Sequence, residues 1–419
     1  MLIGIDDTDS PEGMCTTYLG AVLAKRLVGE GMGVSESRLI RLNPNVRYKT
    51  RGNAAICLEV HGDMKRAFAL ACRTVEELAC FAAAETNPGI VITERKPQSD
   101  FYHKAVKDFC TLGEALAVLE ETGAVFRGYK NQRGLIGATA AVCSDLPDFT
   151  YELLAYRKPE VWGTRRIVNR DSLFLAERTT YPHTWDTVDP GQGIAVCVPH
   201  TPDPVLFGIR GERPGWISYA RECVLSEKPG IEHMYITNQG TDAHLQSGRI
   251  GELREGRSYM LGGMVTGPVE TGRGGHISVT IGDNENTVRC MAYEPTKGFR
   301  EIIRQLREGD LVVVAGSFKG GSINLEKIGV VAVAPDRYSR PPVCPACNRR
   351  MTSAGSGKGF KCRRCGGRAR EAEVGERPRG ILPGWFEVTP SARRHLAKPL
   401  CRGEPDAAIL GCQPSSVIQ

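Results

Sequence analysis

The chain begins MLIGIDDTDSPEGMCTTYLG (residues 1–20), and every later segment takes its meaning from this one. Leu2–Ile5 is a short apolar strand running directly into Asp6, Asp7 and Asp9, with Ser10 and Glu12 close behind. Cys15-Thr16-Thr17 opens a helix expected over Thr16–Val28, because Leu19, Val22, Leu23 and Leu27 recur at helical spacing. Carboxylates crowded in this way repel one another unless a cation sits among them. Mg²⁺, its shell completed by a phosphate of ATP, suits such a site. Thr16 and Thr17 stand where helix N–H groups and the dipole favour phosphate. An acidic turn with an ordinary threonine cap would have the same spacing, so the motif alone does not choose.

Outward from this stretch, strands and helices alternate to about residue 125, which predicts an α/β or α+β layer. Strands are expected at Arg38–Leu42, Ala54–Val60 and Ile90–Glu94, and helices at Met64–Ala82, Phe101–Phe109 and Leu112–Glu121. Between two of these strands, Arg41, Arg47, Lys49 and Arg51 crowd a loop that ends in Gly52 and Asn53. Four cations in one loop suit a triphosphate or an RNA backbone. Residues 126–245 read as a second compact α+β unit. Its elements are a small-residue helix at Gly134–Val142 and strands at Tyr151–Arg157, Gly193–Val198 and Val205–Arg210. Here Asp203 and Phe207 are candidates to hold an organic cation by charge and ring face. From 250 to 336 the pattern becomes Gly-punctuated β structure of about five strands, with a helix at Gly298–Leu306 before the last pair. That is the signature of an OB-type barrel. Pro335, Pro341 and Pro342 mark a linker.

Cys344-Pro-Ala-Cys347 and Cys362-Arg-Arg-Cys365 enclose fourteen residues. Two such knuckles place four thiolates for a tetrahedral, coordinatively closed, structural Zn²⁺ (residues 340–370). The metal would hold Arg349, Arg350, Lys358, Arg363 and Arg364 toward RNA phosphate. From Arg340 to Arg402 there are fifteen Lys/Arg against four Glu, in a chain whose net charge is +6, so the body is mildly acidic and this end is basic. A polyanion held at one end is implied. Residues 371–419 read as a C-terminal tail, and the stretch from Cys401 onward is expected to be unstructured.

The chain has fifteen cysteines, most of them isolated in apolar runs, which suits buried thiols in a reducing cytoplasm better than a disulfide scaffold. No signal peptide or membrane span is expected. No Walker motif or dinucleotide fingerprint is present. Nucleotide chemistry, if any, must therefore use the acidic strand end.

Gly4-Ile-Asp-Asp-Thr-Asp9, Gly13-Met-Cys-Thr-Thr-Tyr18, Arg41-Leu-Asn-Pro44, Tyr48-Lys-Thr-Arg-Gly-Asn53 and Arg133-Gly-Leu-Ile-Gly137 occur in order. They continue into Tyr151-Glu-Leu-Leu-Ala-Tyr-Arg157, Phe207-Gly-Ile-Arg-Gly211, Thr237-Asn-Gln-Gly-Thr-Asp-Ala-His244 and Ala392-Arg-Arg-His-Leu396. The ordered set resembles the archaeal isoleucine-tRNA 2-agmatinylcytidine synthetases along the whole chain. The resemblance implies a kinase-like α/β catalytic domain (1–125), a ferredoxin-like domain (126–245), an OB-fold (250–336) and the zinc ribbon. It implies ATP-dependent ligation of agmatine to the wobble cytidine of isoleucine tRNA with a CAU anticodon, with ATP ending as AMP. By motif, Asp6 and Asp7 become the catalytic and Mg²⁺-binding acids, with Asp9 assisting in catalysis, and Thr16 the threonine that is phosphorylated, though chemistry alone does not choose it over its neighbour Thr17. Thr17, Lys49, Arg51 and Asn53 join Asp6, Asp7 and Thr16 as ATP contacts. A rival reading keeps the RNA modules and drops the chemistry, as a non-catalytic tRNA- or single-strand-binding protein. The oligomeric state is not legible.

Overall fold

The computed structural model describes residues 1–49 and 52–405. Leu2–Asp6 is a central strand because its side chains alternate between two apolar layers. Ile3 and Ile5 pack with Leu19, Leu23, Leu27, Ala67, Leu70 and Val75 from helices Thr16–Gly29 and Met64–Leu78. Leu2 faces the opposite layer, built by Asp100–Lys107, Leu112–Thr122 and Gly134–Val142. Gly4 is small for a reason: a Cβ there would lie 2.3 Å from the carbonyl oxygen of Ala138.

Nine of the described strands form one sheet, in the order Val125–Gly128, Gly89–Thr93, Leu2–Asp6, Ala54–His61, Gly33–Arg41, Ile231–Thr237, Thr150–Tyr156, Val205–Gly211, Thr184–Trp185. The pairings are antiparallel except at Gly33–Arg41 with Ile231–Thr237, which is parallel. The two expected α+β units therefore share a single sheet. The expected break at 125/126 falls at the start of strand Val125–Gly128, which pairs with Gly89–Thr93 in the first unit. Helix Gly134–Val142, expected in the second unit, also packs on the first, since its small residues let the backbone approach Leu2–Asp6. Helices Arg170–Thr180 and Pro214–Cys223 cover the far half of the sheet.

Ser258–Val265, Ile277–Gly282, Thr287–Ala292, Leu311–Lys319 and Ser322–Ala332 close into a five-stranded barrel, with helix Gly298–Arg304 placed as expected. The segment Asp336–Arg340 is not a bare linker but a strand paired with Glu373–Arg377. Nor do the described residues after the ribbon form a tail. Gly384–Glu387 adds to the barrel on Ser322–Ala332, and residues 390–402 return to the large sheet. Arg402 ends that path ion-paired to Asp148 and Glu212, which corrects the unstructured reading for Cys401 and Arg402. Residues 406–419 of that stretch lie outside the described ones.

Barrel and sheet dock through polar groups. Lys327 Nζ donates to Asp242 Oδ1 at 2.6 Å, His244 Nε2 lies 2.9 Å from Glu326 Oε2, and Arg257 Nε reaches Asp108 Oδ1 at 2.8 Å. Paired charges of this kind favour one docking geometry over others, because either partner alone is costly to bury.

Candidate active site

The strand Leu2–Asp6 delivers its acids into the cleft by turning sharply. Asp7 takes φ 59° and Met14 φ 61°, both in the left-handed region, and Ser10 and Gly13 close the hook between them. Helix Thr16–Gly29 follows at once. Thr8 Oγ1 donates to Thr16 Oγ1 at 3.0 Å, and Cys15 Sγ lies 3.0 Å from Thr17 Oγ1.

Asp6 is held well above the ordinary carboxylate range, first by burial and then by the charge of Asp7. Burial also raises Asp7, against the pull of Arg133. Arg133 forks onto one oxygen of Asp7, with Nε at 3.1 Å and Nη2 at 2.8 Å. A cation arriving beside Asp6 would relieve the penalty on its charged form.

Asp6, Asp7, Asp9, Thr16, Thr17, Lys49, Asn53 and Asp203 all line one cavity of about 560 Å³. The sequence candidates thus converge, with two exceptions. Arg51 lies outside the described residues. Phe207 is fully buried in the core under the second helix pair, with the Arg221 guanidinium 5.3 Å from its ring, so no organic cation reaches it. A β-bulge between Val205 and Phe207 sets this register. Asp203 reaches the wall, yet its carboxylate already accepts from Val205 N at 2.9 Å and from the Thr201 hydroxyl. Asn53 Nδ2 donates to Asn43 O at 2.8 Å, which closes the end of the loop onto its start.

The cavity also holds Arg41, the first of the four loop cations. Beside it stand Arg133, Glu152 and His395, which spacing in the sequence does not mark as site residues, and Asp186 and Arg210, whose segments suggest a small-molecule pocket without assigning either residue a role. Burial lowers Arg41 to about 10; its Nε donates to Gln239 Oε1 at 3.0 Å. Arg210 pairs with Glu152 at 3.0 Å. The cleft therefore has an acidic end at the first strand and a basic corner at Arg41, Arg210 and Lys49.

The ribbon lies apart from this cleft. Sγ atoms of Cys344, Cys347, Cys362 and Cys365 all lie within 4.8 Å of one another, with close pairs at 3.3, 3.4 and 3.7 Å. Tetrahedral Zn–S bonds of ~2.3 Å separate sulfurs by ~3.8 Å, so the thiols suit zinc. Among the described residues this is the one cluster close enough for a shared ion; the three N-terminal acids are not gathered into such a cage. Arg349, Lys358, Arg363 and Arg364 are exposed, whereas Arg350 is engaged by Glu373 at 2.9 Å and Pro341 O at 2.8 Å. No helix among the described residues is long and apolar enough to cross a membrane.

Fold and cleft together define a mixed α/β protein carrying a closed five-stranded barrel and a four-cysteine ribbon. Models of three domain families match it: the TiaS TCKD domain (residues 2–70 and 59–131), the TiaS FLD domain (132–244) and the TiaS C-terminal zinc ribbon domain (341–381). The chain belongs to the isoleucine-tRNA 2-agmatinylcytidine synthetase (TiaS) family. It is 50% identical over 407 residues to the synthetase of Methanocorpusculum labreanum, covering 97% of this chain and 98% of that one. Identity to the Archaeoglobus fulgidus synthetase is 44% over 410 residues, 96% and 97% of the two chains. A solved complex of TiaS with isoleucine tRNA and ATP superposes with TM-score 0.89 at 42% identity. A second, with isoleucine tRNA, AMPCPP and agmatine, superposes with TM-score 0.87 at 40% identity. Each covers 97% of this chain and 98% of the solved one. These relatives are enzymes, which leaves the non-catalytic reading without support.

Proposed function

We propose that this chain ligates agmatine to the wobble cytidine of isoleucine tRNA at the expense of ATP, forming 2-agmatinylcytidine. The observation that carries the proposal is the convergence of motif residues far apart in sequence on one cavity, in a chain alike throughout its length to named synthetases. The cytosine carbonyl oxygen is a poor leaving group. Phosphoryl transfer from ATP to that oxygen makes it a good one. The primary amine of agmatine then bonds to C2, and phosphate departs with the oxygen and its bonding electrons. The target base must leave its stack to enter such a cleft.

Asp6 and Asp7 are the catalytic acids in this reading, with Asp9 assisting and Thr16 the phosphorylated hydroxyl. Thr17, Lys49, Arg51 and Asn53 complete the ATP contacts. Mg²⁺ would be held by Asp6 and Asp7, needing only one or two carboxylates beside the phosphates, and would neutralise charge on the transferred group. Asp203 faces the agmatine guanidinium without the Phe207 ring. The catalytic unit extends past residue 125 to take in helix Gly134–Val142. The ribbon's Arg349, Lys358, Arg363 and Arg364 meet tRNA phosphate in a cytoplasmic setting. Incorporation of labelled agmatine into isoleucine tRNA, dependent on ATP and abolished in Asp7→Ala, tests the assignment; no incorporation by a folded, tRNA-binding protein would refute it.

A further inference from the structure

His395 arrives in the cavity from the far end of the chain, and its surroundings restrict its protonation. The backbone is pinned on both sides: Gly240 N donates to His395 O at 2.8 Å, and Asp242 N to Leu396 O at 2.8 Å. Leu396 is buried in the layer beneath the first sheet half. Arg393 pairs with Asp186, and Arg394 reaches Ser317 Oγ at 2.6 Å. The imidazole that follows them lines the same cavity as Asp6 and Asp7.

Arg210 Nη2 lies 2.6 Å from His395 Nδ1. A guanidinium can only donate, so Nδ1 must accept and the ring hydrogen belongs on Nε2. A second proton on Nδ1 would meet an arginine N–H head-on. Burial, and then the charges of Arg41, Arg210 and Lys49, hold the ring neutral. Glu152 faces Arg210 and not the imidazole. Gly52 keeps the space beside Nε2 clear, since a Cβ there would stand 3.3 Å from Nε2 and 2.2 Å from Arg41 Nη1. This geometry excludes a general base at His395, because Nδ1 is occupied by Arg210 and the other ring nitrogen carries the proton. What it offers is an N–H donor that does not titrate, set between two guanidinium groups.

We infer that His395 Nε2–H, together with Arg41 and Arg210, forms a corner that binds a phosphoryl oxygen during the reaction. The inference rests on the ATP-dependent ligation proposed above. The phosphoryl group belongs either to ATP or to the phosphorylated cytidine; both present the same anionic oxygen. A neutral donor strengthens as charge develops on that oxygen and carries no proton to lose.

The test uses the full-length protein with isoleucine tRNA, ATP and agmatine, after the wild type has been shown to make 2-agmatinylcytidine. That first step separates failure of the ligation reading from failure of this one. His395→Ala is expected to slow single-turnover agmatine transfer by ~100-fold, the usual loss for one preorganised donor. His395→Gln, which keeps an N–H donor, is expected to recover at least about tenfold of that. Gly52→Ala, which leaves the histidine in place but displaces Arg41 Nη1 and crowds Nε2, is expected to slow transfer with an unchanged melting temperature. Weakened binding of a non-hydrolysable ATP analogue in these variants assigns the corner to the nucleotide; unchanged binding with slower transfer assigns it to the phosphorylated base. Wild-type rates in folded Gly52→Ala and His395→Ala would overturn the inference. So would an acid limb in the wild-type pH profile that disappears in His395→Gln, since that marks a base.

Discussion

Asp6 Oδ2 occupies the space that a side chain on Gly137 would need: a Cβ built there stands 1.8 Å from that oxygen. The small-residue helix Gly134–Val142 is therefore the floor on which the Asp6 carboxylate rests. Gly137→Ala should push the carboxylate aside by about an ångström, a displacement that costs on the order of 100-fold in rate when the group must be aligned with its substrate. ATP-dependent agmatine incorporation should fall by that amount while tRNA affinity stays within about twofold. Undiminished turnover would show that the Asp6 position is not critical.

Asp7 and Arg133 form one unit, with two donors on a single carboxylate oxygen. Asp7→Ala should abolish ATP turnover and leave tRNA binding near wild type, because the phosphate contacts proposed for the RNA are on the ribbon, apart from the cleft. Arg133→Lys should also reduce turnover, since an ammonium cannot reproduce the fork. Equal loss of ATP turnover and tRNA binding in Asp7→Ala would make the acid structural.

Glu326 sits at the junction of barrel and sheet. Burial alone would raise it, but His244, then Arg394 and Lys327, outweigh that effect and hold it at about 2, below the ordinary 4.5. A carboxyl depressed in the folded state adds stability that is fully present above its unfolded value and is lost as pH falls through its folded value. Glu326→Gln should therefore be clearly less stable than wild type at pH 6, on the order of 3 kcal/mol at most. The gap should narrow from about pH 5 downward. Denaturant midpoints measured at pH 6, 4 and 3 check this; a gap that is constant over the range would remove the ion pairs from the account.

Removing zinc should act on tRNA binding and leave the cleft intact. Cys362→Ser is expected to lose the metal, to weaken tRNA binding and to lower the slope of log affinity against log salt by about one for each phosphate no longer neutralised. Tight binding with an unchanged slope would contradict an electrostatic role for the ribbon. A deletion that makes the same test must keep Gly384–Glu387 and residues 390–402, because these complete the barrel and the cleft.

What the sequence disclosed was local. The acids that end Leu2–Asp6, the threonines that open Thr16–Gly29 and the two cysteine knuckles each lie within one turn or hairpin, so spacing alone displays them. The five barrel strands and their helix were legible for the same reason, since four of the strands form two local hairpins, one on either side of the helix. The shared sheet was not, because its junction is a short parallel pairing, Arg38 with Ile236 and Leu39 with Thr237, between strands far apart in the chain. Phe207 was misplaced because a bulge, invisible to alternation, turns it into the core. The C-terminal return carries little apolar periodicity, being held by Arg393, Arg394 and Arg402 on acids from other elements. His395 is identifiable only once Arg210 and Arg41 stand beside it.

The most direct test of the whole account is incubation of the purified protein with isoleucine tRNA transcript, Mg²⁺, ATP and radiolabelled agmatine, followed by mass spectrometry of the nucleosides. The account predicts label in the wobble cytidine, dependent on ATP and absent in Asp7→Ala. A protein that binds the tRNA tightly and incorporates no label under these conditions would contradict it.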